Sequence, residues 1–274
     1  MTRFLFLLIL SAGLHAETLR VMTFNVRYPN PGDGPDVWTA RRDLLASTVR
    51  RHAPDLMGTQ ELFYEQGQFI VEKLPDYAWF GLSRRGNQQD EHMGVFYRKD
   101  KLTLIDSGNF WLSPTAERAG SSAWGMSLPR MVTWGVFEVK PGGAKFLYYN
   151  THFPHRAEDE AARRLCAKLI ADRLSLYDEK MPVVLTGDFN AGAQGGAYET
   201  LTATLKDTWK DAAKRSEGGE GTFHGFKGKA GRARIDWILY RAPWRVLSTE
   251  ILTDHEGDRY PSDHFPVLSV FELP

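Results

Sequence analysis

The sequence predicts an α/β sandwich, in which two packed sheets are flanked by helices. Short strand-like runs are numerous, helical runs are few, and several strands close on a polar residue of unusual kind. A single doubly wound sheet would instead need a helix between most of its strands. With the polar strand ends on one rim, a rigid scaffold holds charged groups in place while loops supply specificity.

The elements follow in order. Residues 19–26 alternate and close on Asn25, which reads as a strand, and residues 38–52 show helical spacing with charges on one side. The short run 55–60 closes on Glu61, and a second helix is expected over 64–74. Runs 78–83, 93–98 and 102–111 are short and apolar-rich, with turn residues between them. Residues 131–139 and 145–153 read as strands joined by Pro141-Gly142-Gly143, a hairpin signal because glycine supplies the positive φ of a tight turn. The second arm presents His152 at its end. Residues 157–177 make the longest expected helix. The continuous apolar run 182–186 suits a strand covered on both faces, and it closes on Gly187-Asp188-Phe189-Asn190. Runs 234–240, 246–252 and 265–271 complete the strands.

Arg3, the apolar run 4–10 and the small residues Ser11, Ala12 and Gly13 form a signal-peptide pattern with cleavage expected after Ala16. The run is well short of the roughly 18 to 20 residues that span a bilayer, so no stable membrane insertion is expected. Residues 17–274 are expected to form one domain, exported to the periplasm or the medium. Cys166, the only cysteine, allows no intrachain disulfide and, inside a helical run, reads as a small buried apolar residue rather than a catalytic thiol. A formal net charge of zero argues against affinity resting on general attraction to nucleic acid backbone. The basic stretch 206–234 is interleaved with Asp207, Asp211, Glu217 and Glu220 and reads as a solvated loop.

Asn25, Glu61, Asp188 and Asp263 are candidates for a hard-cation site, because Mg²⁺ prefers carboxylate and amide oxygens. Taken singly, each acid is ordinarily a surface charge or a helix cap. The stronger signals are local pairs. Asp188 and Asn190, two residues apart on extended chain, would point the same way and position a water together. Ser262-Asp263-His264 sets a carboxylate beside an imidazole, and Asp236 stands inside an apolar strand, where an acid needs a partner to offset its desolvation.

Thr23-Phe24-Asn25-Val26, Gly58-Thr59-Gln60-Glu61, Asn150-Thr151-His152, Gly187-Asp188-Phe189-Asn190, Arg234-Ile235-Asp236 and Ser262-Asp263-His264 occur in that order. They resemble the ordered motifs of the endonuclease/exonuclease/phosphatase superfamily, whose DNase I-like fold is a four-layer α/β sandwich of two mostly antiparallel sheets. Asn25-Val26-Arg27-Tyr28, Pro31-Gly32-Asp33-Gly34 and Trp38 with Arg41-Arg42 look like an often exported bacterial group within it. The resemblance implies metal-assisted phosphoester hydrolysis without naming the substrate.

Residue by residue, it implies Glu61 as the principal ligand of Mg²⁺, or of Mn²⁺ in its place, assisted by Asn25 and Asp263. Asp188 and Asn190 would orient and deprotonate the attacking water, and His264 would contact the phosphate or transfer a proton, its tautomer held by Asp236. His152 and His155 would contact phosphate oxygens, and Arg130 is a further phosphate candidate that reads equally as one half of a surface ion pair. His92 and His224, in loops, could border the leaving group but read first as exposed, uninvolved imidazoles, and Trp38, Trp111, Trp124, Trp134 and Trp237 read as packing residues.

The expected substrate is a phosphodiester or phosphomonoester, a small molecule in preference to nucleic acid, and no protein partner is inferable. The rivals are a secreted nuclease and a non-catalytic binding module on the same scaffold. Every motif position is occupied, which argues against the module. A two-carboxylate glycoside hydrolase would leave the Asp-His and Asp-Asn pairs without a purpose.

Overall fold

The computed structural model describes residues 17–274, and the expected signal peptide, residues 1–16, lies outside the described residues. Strands β1 (Thr18–Asn25), β2 (Leu56–Gln60), β3 (Tyr77–Phe80) and β4 (Val95–Arg98) alternate with helices α1 (Trp38–His52) and α2 (Tyr64–Lys73). Then come β5 (Leu102–Trp111), β6 (Met131–Val139), β7 (Lys145–His152), α3 (Glu160–Leu174), β8 (Val183–Asp188) and α4 (Gly196–Thr202). The short β9 (Lys206–Asp207), α5 (Thr208–Asp211) and β10 (Lys214–Arg215) precede β11 (Asp236–Arg241), β12 (Arg245–Ile251) and β13 (Val267–Glu272).

The strands form a seven-stranded sheet, ordered β10-β12-β13-β1-β2-β4-β3, and a six-stranded sheet, ordered β5-β6-β7-β8-β11-β9. The pairs β1/β2, β7/β8 and β10/β12 are parallel and the others antiparallel. Val21 and Leu56 of the first sheet meet Tyr148, Val184 and Ile238 of the second in the core between them. On the outer face of the first sheet, Met22, Phe24 and Met57 pack beneath Leu45 and Val49 of α1 and Ile70 of α2. On the outer face of the second, Leu147, Leu185 and Trp237 pack beneath Cys166 and Ile170 of α3 and Leu201 of α4. Helix, sheet, sheet and helix therefore make four layers, the predicted sandwich, and burial on both faces explains why the central strands read as unbroken apolar runs.

The expected bounds of α1, β5 and β6 match those observed, and most others differ by one or two residues. Two expectations fail for a physical reason. The helix expected over 157–177 begins as a 3-10 turn, Ala157–Asp159, where the Asp159 carboxylate accepts from the backbone N–H of Arg156 at 3.1 Å, and α3 proper ends at Leu174. The stretch 206–234 is no simple solvated loop. Asp207 is buried because Arg234 Nη2 donates to it at 2.6 Å and the Tyr198 hydroxyl at 2.7 Å, and Trp209 is buried beside them.

Candidate active site

Strand register builds the site. In the second sheet, His152 lies opposite Asp188 in the β7/β8 pairing, and Asp188 lies opposite Asp236 in the β8/β11 pairing, so the ends of β7 and β8 and the start of β11 carry one row of ionisable groups. In the first sheet, Asn25 ends β1 opposite Gln60 of β2, and Glu61 follows immediately. Asp263 and His264 come down beside them in the segment leading to β13. A polar layer locks the two sheets together just behind the site. Gln60 Nε2 donates to Asn150 Oδ1 at 2.8 Å, and Asn150 Nδ2 donates to the carbonyl of Thr59 at 2.8 Å. Asn150, singled out by its motif, thus joins the sheets, and His152, two residues on, lines the cleft.

Three residues leave the strands through left-handed backbone: Arg27 (φ 54°), Glu61 (φ 58°) and Asn190 (φ 47°). Strain of this kind on side-chain-bearing residues gathers at functional sites, where the surrounding fold imposes it. For Asn190 it corrects the sequence reading. Asp188 and Asn190 both line the cleft, yet through a bend after β8 rather than strand alternation, with the Asn190 N–H donating to Asp188 Oδ1 at 2.9 Å.

The cleft encloses about 690 Å³ and is lined by Glu61, Arg130, His152, His155, Asp188, Asn190, Asp263 and His264. Asn25 and Asp236 stand just behind the lining. Asn25 Nδ2 donates to Asp188 Oδ2 at 3.0 Å and to Glu61 Oε1 at 3.2 Å, while its Oδ1 accepts from the Arg27 N–H at 3.0 Å. Asn25 therefore spaces the two carboxylates, and a role as oxygen ligand would require its amide to turn. His264 Nδ1 is 2.9 Å from Asp236 Oδ2, which supplies the partner the buried acid requires, and its Nε2 is 3.8 Å from Asp188 Oδ2. Burial works against a charged ring, but Asp236 and then Asp188 raise the His264 pKa to about 10. Burial, reinforced by Asp236, pushes the Asp188 carboxyl up to about 7. His152, 3.0 Å from Asn190 Nδ2 through its Nε2, is held well below the ordinary imidazole range by burial and by Arg130, so it stands neutral.

Arg130 is fully buried, not the surface group that sequence alone allowed. Its Nη2 lies 3.1 Å from His155 Nδ1, and its Nη1 has no hydrogen-bond partner. Burial lowers its pKa. His92 and His224 are corrected as well: both are buried, His92 with Nδ1 3.1 Å from the Leu62 carbonyl and His224 stacked on Phe265 at 4.0 Å, and neither lines the cleft. Sequence reading missed Glu91 and Arg84 of the cleft wall, an ion pair at 2.8 Å, with Glu91 pushed up to about 7 by burial and by Glu61. Their loop carries no strand-end cue and comes beside Glu61 through the pairing of His92 with Leu62.

The chain matches the model of the endonuclease/exonuclease/phosphatase family over residues 22–264. The chain belongs to this family. Enzymes of this family hydrolyse phosphoric esters and are generally divalent-metal dependent, and the chain is accordingly a phosphoric ester hydrolase. It is 33% identical to a mannosyl-6-phosphatase of Bacteroides thetaiotaomicron, with 93% of this chain and 100% of that one covered and a TM-score of 0.87. It is 35% identical to a family protein of Bacteroides vulgatus, over 94% and 100% of the two chains, with a TM-score of 0.87. Among curated proteins it is 20% identical, over 86% of its length, to the CCR4-Not complex 3'-5'-exoribonuclease subunit Ccr4 of Candida albicans, and the match spans only 38% of that protein.

The donor set fits a hard divalent cation. Glu61, Asp188 and Asp263 converge in the cleft, and Arg27, 3.8 Å from both Glu61 and Asp263, already donates to Asp33 at 2.8 and 3.0 Å. Asp188, Asp236 and His264 also bring one ligand atom each within 4.8 Å of one another. The first set is all oxygen, the preference of Mg²⁺, whereas the His264 nitrogens are drawn between two carboxylates as a charged hydrogen-bond donor.

Proposed function

We propose that the protein is an exported, Mg²⁺-dependent phosphoesterase acting on a small phosphomonoester, with a phosphorylated sugar as the first substrate class. The observation that carries this reading is Arg130: a wholly buried guanidinium beside His155 in the cleft wall, with one nitrogen unpaired. A guanidinium fork suits the oxygens of a phosphoryl dianion, and a monoester offers more such charge than a diester. A cleft of about 690 Å³ suits a small ligand, and the likeness to the Bacteroides thetaiotaomicron mannosyl-6-phosphatase supports the sugar class.

In the mechanism we infer, Asn190 and Asp188 orient a water, and Asp188 takes its proton as the water oxygen bonds to phosphorus; the ester oxygen departs with the electron pair of the broken bond and takes a proton from solvent water. A carboxyl poised at about 7 suits that exchange near neutral pH. His264, kept charged by Asp236, and Arg130 with His155 face the phosphoryl oxygens, where negative charge gathers in the transition state. Glu61, with Asp263, would hold Mg²⁺, which when bound adds positive charge at those oxygens.

The test is hydrolysis of a hexose 6-phosphate, a chromogenic diester and single-stranded RNA by protein starting at Glu17, with Mg²⁺, Mn²⁺ or a chelator. Metal-dependent release from the hexose 6-phosphate, absent in Asp188→Asn, is expected. Faster turnover of RNA would move the assignment to a nuclease, and no turnover of any ester would remove the catalytic reading. Export is checked separately, by the N-terminal residue of the protein recovered outside the cytoplasm.

A further inference from the structure

Beyond the wall of the catalytic cleft lies a second hollow of about 550 Å³ that the mechanism does not use. Asn190 and Ile235 line the cleft, and Gly192 and Arg234 line the hollow, so the wall is the pair of chain segments leaving β8 and entering β11. The Phe189 N–H donates to the Ile235 carbonyl at 2.8 Å and holds these segments side by side.

The hollow is strongly cationic in a chain of zero net charge. Lys210, Arg215, Arg232 and Arg234 line it against one carboxylate, Glu220. Arg234 is only 2% exposed. Its Nη2 is tied to Asp207 at 2.6 Å, while its Nε is buried without a hydrogen-bond partner, the Glu220 carboxylate standing too far off at 4.0 Å. A buried donor left unpaired costs about 1 to 3 kcal/mol, more on a charged group. An oxyanion entering the hollow would satisfy it and would meet the guanidinium and ammonium groups at the rim.

We propose that this hollow is a second oxyanion subsite that takes a non-reacting phosphoryl group. That group has two sources, a second phosphate on the substrate, which rests on the phosphomonoesterase reading above, or free inorganic phosphate. The test uses the double variant Arg215→Ala/Arg232→Ala, two exposed positions outside the catalytic machinery, checked for an unchanged melting curve. Calorimetric titration with inorganic phosphate in the presence of Mg²⁺ is expected to lose one binding site per chain in the variant. Kinetics then separate the sources. If the substrate supplies the group, KM for a hexose bisphosphate rises about tenfold at constant kcat while KM for the hexose 6-phosphate is unchanged. If free phosphate supplies it, the calorimetric site is lost and neither KM moves. A phosphate stoichiometry that is the same in wild type and variant would overturn the inference. Failure of the wild type to hydrolyse either ester would count against the monoesterase reading alone, since the titration still decides the subsite.

Discussion

Asp188 gathers the contacts of the site at the scale of single residues. It receives hydrogen bonds from Asn25 and the Asn190 N–H, faces His264 across 3.8 Å, and sits in line with Asp236 on the next strand. Replacing it with Asn keeps the volume and one of the two acceptor oxygens but removes the proposed base. We expect kcat to fall roughly 10³-fold or more with the melting temperature nearly unchanged, measured on the hexose 6-phosphate. In the proposed mechanism Asp236 acts through His264, whose Nδ1 it holds at 2.9 Å and whose pKa it raises. Asp236→Asn should lower kcat roughly 10²-fold with little change in KM, a split that mere loss of packing would not produce. Glu61 is tested without turnover. Mg²⁺ at a hundred times its Kd should stabilise the wild type by about 2.7 kcal/mol, and Glu61→Gln should abolish most of that gain in a thermal melt. Equal stabilisation of both proteins would remove Glu61 from the metal site.

The elements act by holding strand ends in register. Gly58 of β2 shows how tightly: a Cβ there would lie 2.4 Å from Asn150 Oδ1, Thr186 Oγ1 and the Tyr148 hydroxyl, all from the opposite sheet. Glycine therefore lets the two sheets approach where the polar layer joins them. Gly58→Ala should destabilise by about 1 to 3 kcal/mol and lower activity together with stability, because the Glu61 and Asp188 ends shift relative to one another. A melting temperature equal to wild type would show that the layer can yield. The long central strands and α1 were legible in the sequence because periodicity and turn residues are local signals. Helix α4 was not: Gly-Ala-Tyr-Glu-Thr-Leu-Thr has poor helical propensity, and the helix forms where Tyr198 packs edge-on against Trp237 at 5.0 Å. Among the described residues, no helix is long and apolar enough to cross a membrane.

For the whole molecule, four layers bring Asn25, Glu61, Asp188, Asp236 and His264 together from segments up to 239 residues apart, on one rim of the sandwich. Zero net charge leaves no broad field to draw in a polyanion, so turnover of the small ester should change only about two- to threefold between 50 and 200 mM salt. A protein anchored by six or more phosphate contacts would lose roughly 10³-fold or more in affinity over that range, which makes the salt profile a direct check on the nuclease reading. By itself the sequence determined the layer architecture, the family and the motif residues, because these are written in local periodicity and in short runs of fixed residue types. Only the tertiary structure decided that Arg130, His92, His224 and Asp207 are buried, that Asn150 joins the sheets, and that Glu91 and Arg84 wall the cleft. Burial and partnership depend on segments distant in sequence, so no local pattern carries them, and the same charged side chain reads alike until the packing around it is known.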